Sequence, residues 1–122
     1  MGSQASSMAL EERFQRGVAF KVDGKYDEAE RELKAVLADE PEHVGAHHEL
    51  GLVYGFTGLF EESLEELRRA VELDPGDLKV RNDLALTYSM VGMNDEARGE
   101  FEAVLEIDPT NAVALRNIVY FR

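Results

Sequence analysis

The chain has 122 residues, a formal net charge of −12 at pH 7 and no cysteine. This length fits one ordinary domain. The negative charge argues against nucleic acid as a partner, because contacts with phosphates need a basic surface. The lack of cysteine excludes disulfides and zinc–thiolate sites. No stretch approaches the ~20 apolar residues of a transmembrane helix, so we expect no direct insertion into a membrane.

Residues 1–8 read MGSQASSM and lack the basic-then-apolar order of a signal peptide. We interpret them as a leader or a remnant of expression, and residues 9–122 as the folded domain. The location that we expect is cytoplasmic. A fragment of a periplasmic or membrane-associated protein is the alternative.

A 34-residue repeat organises the rest of the chain. The prolines Pro41, Pro75 and Pro109 are one period apart, and four further sets of residues keep the same spacing. These sets are Gly24, Gly58 and Gly92; Gly17, Gly51 and Ala85; Phe20, Tyr54 and Tyr88; and Ala29, Ser63 and Ala97. A fixed period of this length indicates a solenoid in which each repeat packs against its neighbours.

Each period is predicted to contain two amphipathic helices, because apolar residues such as Leu50, Val53 and Tyr54 recur at helical spacing. The set that includes Gly58 falls where the first helix ends, and glycine readily takes the left-handed conformation there. Each proline then ends a second helix. We therefore expect an all-α fold of about seven helices. The repeats would lie at about residues 10–43, 44–77 and 78–111, followed by a terminal helix at 112–122.

The second repeat resembles the pattern of the tetratricopeptide-repeat (TPR) family, W-x2-L-G-x2-Y…A-x3-F…P. It reads His47-x2-Leu50-Gly51-x2-Tyr54…Ser63-x3-Leu67…Pro75. The resemblance implies a right-handed superhelical solenoid of antiparallel helix pairs, in which the first helices line a concave groove and the second helices form the back. Two departures stand out. No repeat has the tryptophan of the pattern, and Arg16 replaces its leucine in the first repeat.

The resemblance also implies a function, which is to hold another protein or a peptide in the groove. Carried over to this chain, the groove would contain Phe14, Val18, Lys21, Val22, His48, Leu52, Phe56, Lys79, Asn82, Leu86, Met90, Arg116 and Tyr120. Within each helix these residues fall three or four apart and so share a face. An apolar groove of this kind would take an amphipathic helix or an extended peptide. The alternative is that Leu52 and Leu86 only pack between helices.

A familiar ligand of the family is the acidic C-terminal tail of cytosolic heat-shock chaperones, which lysine, asparagine and arginine side chains clamp. This chain has Phe14 and Val18 where a lysine and an asparagine would be expected, and Glu49 in place of another asparagine. Only Lys79 and the region of Asn82 match the clamp. The resemblance therefore favours an apolar ligand over a chaperone tail.

The terminal helix is apolar on more than one side, whereas repeat proteins normally end in a polar cap. A surface for self-association would contain Leu115, Ile118, Val119 and Phe121. A homo-oligomer assembled through this helix is thus one alternative function, and an accessory domain of a larger enzyme or membrane complex is another.

No catalytic, metal or cofactor site is predicted. His43 and His47 have the i,i+4 spacing of metal ligands on a helix, but the sequence offers no third ligand for them. It also has no glycine-rich phosphate loop and no motif for an activated nucleophile. We expect a non-catalytic protein that needs neither a cofactor nor a metal.

Overall fold

The structure, a computed structural model, describes residues 3–121 of the chain and the side chains from residue 8 to residue 121. Within this range the chain folds into seven α-helices and a short 3-10 helix, without strands. They are α1 (Ser3–Val22), α2 (Tyr26–Asp39), α3 (Val44–Phe56), α4 (Phe60–Leu73), α5 (Leu78–Met90), α6 (Asn94–Ile107), α7 (Ala112–Ile118) and the 3-10 helix Val119–Phe121. None of the described helices is both long and apolar enough to span a bilayer.

The helices pair as antiparallel hairpins. The closest packing joins α1 to α2, α3 to α4 and α5 to α6, and each second helix also packs on the first helix of the next hairpin. The second and third hairpins lie within the predicted repeats 44–77 and 78–111, and α7 lies in the predicted terminal segment. Helix α1 begins inside residues 1–8, so it crosses the boundary drawn at residue 9. The assignment of those residues to a leader stays a prediction.

Each hairpin turns at a glycine in the left-handed region, with φ of 77° at Gly24, 81° at Gly58 and 82° at Gly92. The next backbone N–H donates to the carbonyl five residues earlier, which is the hydrogen bond of a Schellman turn. These bonds join Lys25 to Phe20, Leu59 to Tyr54 and Met93 to Tyr88. The predicted role of the three glycines as helix ends is therefore confirmed.

The two helices of a hairpin approach each other most closely at a small residue. A Cβ atom placed on Gly51 would lie 2.8 Å from Cγ of Leu67, a distance that real Cβ contacts do not reach. Gly17 meets Leu33 in the same way in the first hairpin. The buried side chains Leu33, Leu67 and Phe101 thus occupy space that the small residues leave open.

A basic side chain stands at the tryptophan position of each repeat and contacts a carboxylate on the second helix of the same hairpin. The pairs are Arg13 Nε–Glu32 Oε2 at 3.7 Å, His47 Nδ1–Glu66 Oε1 at 2.6 Å and Arg81 Nη1–Glu100 Oε2 at 3.2 Å. His47 and Arg81 also contact the carbonyls of Pro41 and Pro75, each at 2.7 Å. These side chains therefore join the two helices of a hairpin to the preceding inter-repeat turn.

Glu100 carries an electrostatic cost in this arrangement. Burial raises the pKa of Glu100 above its usual value, and the nearby Arg81 offsets only part of that rise. The folded state therefore binds the proton more tightly than the unfolded chain does. Above the folded-state pKa, the charged carboxylate lowers the free energy of unfolding, and this loss is relieved as the pH falls through that pKa.

Glu100→Gln should consequently leave the free energy of unfolding at pH 7 unchanged or raise it by less than about 1 kcal/mol. Arg81→Met should lower it by about 1–3 kcal/mol, because a buried carboxylate loses its partner. That loss should shrink at pH 4.5, where Glu100 takes up a proton. Urea denaturation at both pH values measures these changes, with the exposed Glu102→Gln as the control on the same helix. A larger loss for Glu100→Gln than for Arg81→Met would contradict the assignment.

Gly58→Val should lower the free energy of unfolding by more than about 1 kcal/mol, because a β-branched residue is strained at positive φ. No atom lies within 4 Å of the added Cβ, so a clash contributes nothing to the loss. The matched control is Gly76→Val, at a turn glycine that is equally open but does not have a positive φ. Equal stability of the two variants in urea denaturation would refute the role of the left-handed turn.

Candidate functional site

The first helices of the hairpins lie on one side of the stack. Helix α1 contacts α3, and α3 contacts α5 directly. Two polar pairs join these helices: Lys21 Nζ with the carboxylate of Glu49, and His48 Nε2 with Oδ2 of Asp83 at 2.7 Å. Because direct contact between successive units on one side curves a stack towards that side, the first helices form its concave surface.

An apolar row crosses this surface at the C-terminal ends of the first helices. Val22, Phe56 and Met90 are 74%, 60% and 65% exposed, respectively. Val18 and Leu52 lie one turn earlier in their helices and are half-buried. Because the same apolar position stays exposed in three successive repeats, the row is a repeated feature of this surface and not a scattered set of apolar residues.

A pocket of about 150 Å³, which we name the α3–α5 pocket, opens in this row between the second and third hairpins. It is lined by Gly51, Leu52, Gly55, Phe56, Phe60, Ser63, Asp83, Leu86, Thr87 and Met90. The hydroxyls of Ser63 and Thr87 donate to backbone carbonyls of the protein, at 2.7 Å and 2.8 Å. The pocket therefore offers mainly apolar contact, and Asp83 is the charged residue in its lining.

The structure brings part of the predicted groove together. Leu52, Phe56, Leu86 and Met90 all line the α3–α5 pocket. Val18 and Val22 continue the apolar row on α1, and Lys21 and His48 lie on the same face. Both of these basic residues are half-buried and contact carboxylates of neighbouring helices, Glu49 and Asp83 respectively.

Other predicted groove residues serve packing instead. The ring of Phe14 lies 4.8 Å from that of His43 and packs against the core of the first two hairpins. Asn82 is buried, and its Nδ2 donates to Oδ1 of Asn111 at 3.1 Å. Both side chains therefore support the joins between hairpins, which corrects their placement on an open groove surface.

Lys79, Arg116 and Tyr120 are exposed but do not line the pocket. Lys79 lies in the first turn of α5. Arg116 and Tyr120 lie on α7 and in the 3-10 helix, respectively. Their part in the groove stays a prediction.

The predicted surface of the terminal helix needs a similar correction. Leu115 and Val119 are 45% and 55% exposed, whereas Ile118 is only 4% exposed and belongs to the core. The ring of Phe121 packs 6.0 Å from that of Phe101. Ile118 takes the position that Leu84 has one repeat earlier, which is a core position. The exposed apolar face of α7 is therefore smaller than the sequence suggested.

Six residues that line the pocket are absent from the predicted groove: Gly51, Gly55, Phe60, Ser63, Asp83 and Thr87. A signal for Asp83 was present, since it follows His48 by one residue more than the repeat period. This separation places the two side chains on neighbouring first helices at nearly the same height. The contact follows from the packing of the two helices and cannot be read within one repeat.

His43 has a role that the sequence did not reveal. Its Nδ1 accepts a hydrogen bond from the N–H of Ala46 at 2.9 Å, so His43 caps the N-terminus of α3. Asp77 and Asn111 cap α5 and α7 from the equivalent positions. Among the described residues there is no group of three side chains suited to hold a metal ion.

Comparison with profiles of known protein families assigns the chain to one family. Two profiles described as tetratricopeptide repeat match residues 14–77 and residues 57–118. The chain therefore belongs to the TPR family, and the predicted all-α, right-handed solenoid of antiparallel helix pairs is confirmed. No curated protein matches the sequence at a significant level.

Solved structures share the fold at low sequence identity. The first TPR domain of Spaghetti (RPAP3), bound to the HSP90 peptide SRMEEVD, is 20% identical, with a TM-score of 0.86 over 92% of this chain and 89% of that one. The second TPR domain of human RPAP3, in complex with the HSP70 peptide SGPTIEEVD, is 23% identical, with a TM-score of 0.86 over 94% and 96%.

An O-GlcNAc transferase of Thermobaculum terrenum is 24% identical, with a TM-score of 0.84 over 99% of this chain. The match spans only 23% of the transferase chain. At these identities the similarity establishes the fold of the chain, and the ligands belong to the other proteins.

Proposed function

We propose that the chain is a non-catalytic interaction scaffold that binds an amphipathic helix or an extended apolar peptide on its concave surface. The observation that carries this proposal is the exposed row Val22, Phe56 and Met90 beside the α3–α5 pocket. Burial of apolar surface contributes roughly 25 cal/mol per Å². A ligand lying across the three repeats would meet an apolar side chain in each of them.

Peptides bound to the two RPAP3 domains support a peptide as the kind of ligand, but the chemistry of this groove differs from that of their acidic peptides. Phe14 packs inward and Val18 is apolar, so neither supplies a charge. Lys21 and His48 are each held by a carboxylate of this chain. An acidic tail would have to compete with Glu49 and Asp83 for those two groups, and we therefore propose an apolar ligand.

The scaffold as proposed needs no cofactor and no nucleic acid, and we place it in the cytoplasm. The same role also suits an accessory domain of a larger enzyme or membrane complex. The O-GlcNAc transferase, in which the fold occupies a limited share of the chain, supports that setting.

Leu52→Glu combined with Leu86→Glu should weaken partner binding by at least about tenfold, or about 1.4 kcal/mol. The reason is that both leucines line the α3–α5 pocket and a buried carboxylate there would lack a partner. Partners captured with the wild-type protein would be identified by mass spectrometry. Their binding to purified wild-type and variant proteins would then be measured by calorimetry.

The control for this experiment is Ile107→Glu, which places the same charge at an exposed apolar residue of α6, outside the pocket. Circular dichroism establishes that each variant is folded. Undiminished binding by the folded double variant would refute the proposal that the partner binds in the groove.

A second candidate, self-association through α7, is favoured by two substitutions in the repeat pattern. Leu115 stands where the earlier repeats have Arg81 and its equivalents, and Val119 stands where they have Ala85 and its equivalents. In the hairpins those positions face the second helix. Leu115 of α7 and Val119 of the 3-10 helix are both exposed, and the described residues 3–121 contain no helix after them that could pair with α7.

If this face joins two copies, Leu115→Glu with Val119→Glu should convert an oligomer into a monomer, because charge on both copies opposes burial of the face. Light scattering over a range of protein concentrations measures the mass, and Ile107→Glu again serves as the control. A wild-type protein that stays monomeric at high concentration would exclude this second candidate and leave the groove proposal intact.

A further inference from the structure

We propose that the α3–α5 pocket is the specificity pocket of the groove and takes one aromatic or large aliphatic side chain with a basic residue next to it in the ligand. The partner is thus a cationic apolar peptide. This inference rests on the proposed function, since it identifies the ligand of the same groove.

The bottom of the pocket is unfilled because Gly55 has no side chain. A Cβ atom on Gly55 would meet only Oγ of Ser63, at 3.5 Å, which is an ordinary contact. At Gly51, by contrast, an added Cβ would clash with Leu67, so packing requires glycine there. Packing does not require it at Gly55, and a glycine within a helix is less stable than an alanine. The space above Gly55 is therefore maintained at the expense of helix stability.

The equivalent positions in the other repeats do not leave this space. Lys21 stands one repeat before Gly55, and Ser89 stands one repeat after it. The pocket therefore belongs to the middle of the stack and gives the ligand a fixed register along the repeated apolar row.

The walls determine which side chain fits. Leu52 and Phe56 of α3 face Leu86 and Met90 of α5 across a volume of about 150 Å³. An apolar cavity of this size accepts a benzene-sized group. Methionine adapts its shape to the group that it contacts and interacts favourably with aromatic rings. These features select an aromatic or large aliphatic anchor.

The charges around the pocket determine what lies beside the anchor. Asp83 is the charged residue in the lining; its Oδ2 contacts His48, and a quarter of its side chain remains exposed to a ligand. Glu61 and Glu62 follow the lining residue Phe60 and are both exposed. Together with the net charge of −12, these carboxylates favour a basic residue beside the anchor of the ligand and disfavour an acidic one.

The test uses three acetylated and amidated octapeptides: AKAFAKAA, its acidic counterpart AEAFAEAA, and AKAAAKAA without the anchor. Each is titrated at low salt into the ¹⁵N-labelled protein, and binding is followed by NMR at the amides of Gly55 and Leu86. The basic peptide with phenylalanine should change the chemical shifts of these amides. It should bind at least about tenfold more tightly than either of the other two peptides.

Gly55→Leu fills the pocket and should weaken this peptide at least about tenfold while the melting temperature stays the same or rises. The matched control is Gly99→Leu on α6, where an added Cβ meets nothing within 4 Å. If the leucine variant does not fold, Gly55→Ala tests the same point with a smaller side chain in the pocket. Asp83→Asn should reduce the preference for the basic peptide and retain the need for phenylalanine.

Equal binding of the acidic and basic peptides, or wild-type affinity of the folded Gly55→Leu variant, would overturn the inference. If partner binding still depended on Leu52 and Leu86, the proposed function would survive that result. The amide chemical shift of Gly55 could also change when the protein is concentrated without any peptide. That result would show that a second copy of the protein occupies the pocket, and it would overturn the inference.

Discussion

The fold depends on one steric constraint, the close approach of two helices at a small residue in each hairpin. Gly51 admits Leu67 at a distance that any side chain on residue 51 would prevent, and Gly17 and Leu33 repeat this contact. Close packing within each hairpin orients the first helix, so that its remaining faces meet the neighbouring repeats. The turn at Gly58 then sets where the second helix begins. Because a small residue recurs at this position in every repeat, as Gly17, Gly51 and Ala85, the stack has a regular register along its whole described length.

The concave surface follows from that register. When equivalent residues of successive first helices align, Val22, Phe56 and Met90 form a row although they are far apart in the sequence. The contact of His48 with Asp83 joins two of these helices beside the α3–α5 pocket. The opposite side of the stack differs in character, since Glu66 and Glu100 on the second helices are engaged with His47 and Arg81 of their own hairpins. The exposed apolar residues that recur at one position of three successive repeats, Val22, Phe56 and Met90, therefore lie on the concave side.

Much of the fold could be predicted because the repeat encodes it locally. Gly58 and its equivalents indicated the turns, and the 34-residue period indicated the stacking of the hairpins. The candidate site was predicted less completely, because it depends on contacts between repeats. Asn82 lies on the expected face yet is buried against the N-cap of α7, and Ile118 is buried because it occupies a core position of the repeat. A pattern within one helix specifies a face but not which neighbour covers it.

The central claim is that the ligand lies on the first helices and seats a side chain in the α3–α5 pocket. The most direct measurement is a crystal structure of the protein with a bound partner peptide. We predict an aromatic or large aliphatic side chain above Gly55, between Leu52 and Leu86, with the rest of the peptide crossing the exposed row. A peptide that bound to α2, α4 and α6, or that left the space above Gly55 empty, would contradict this claim.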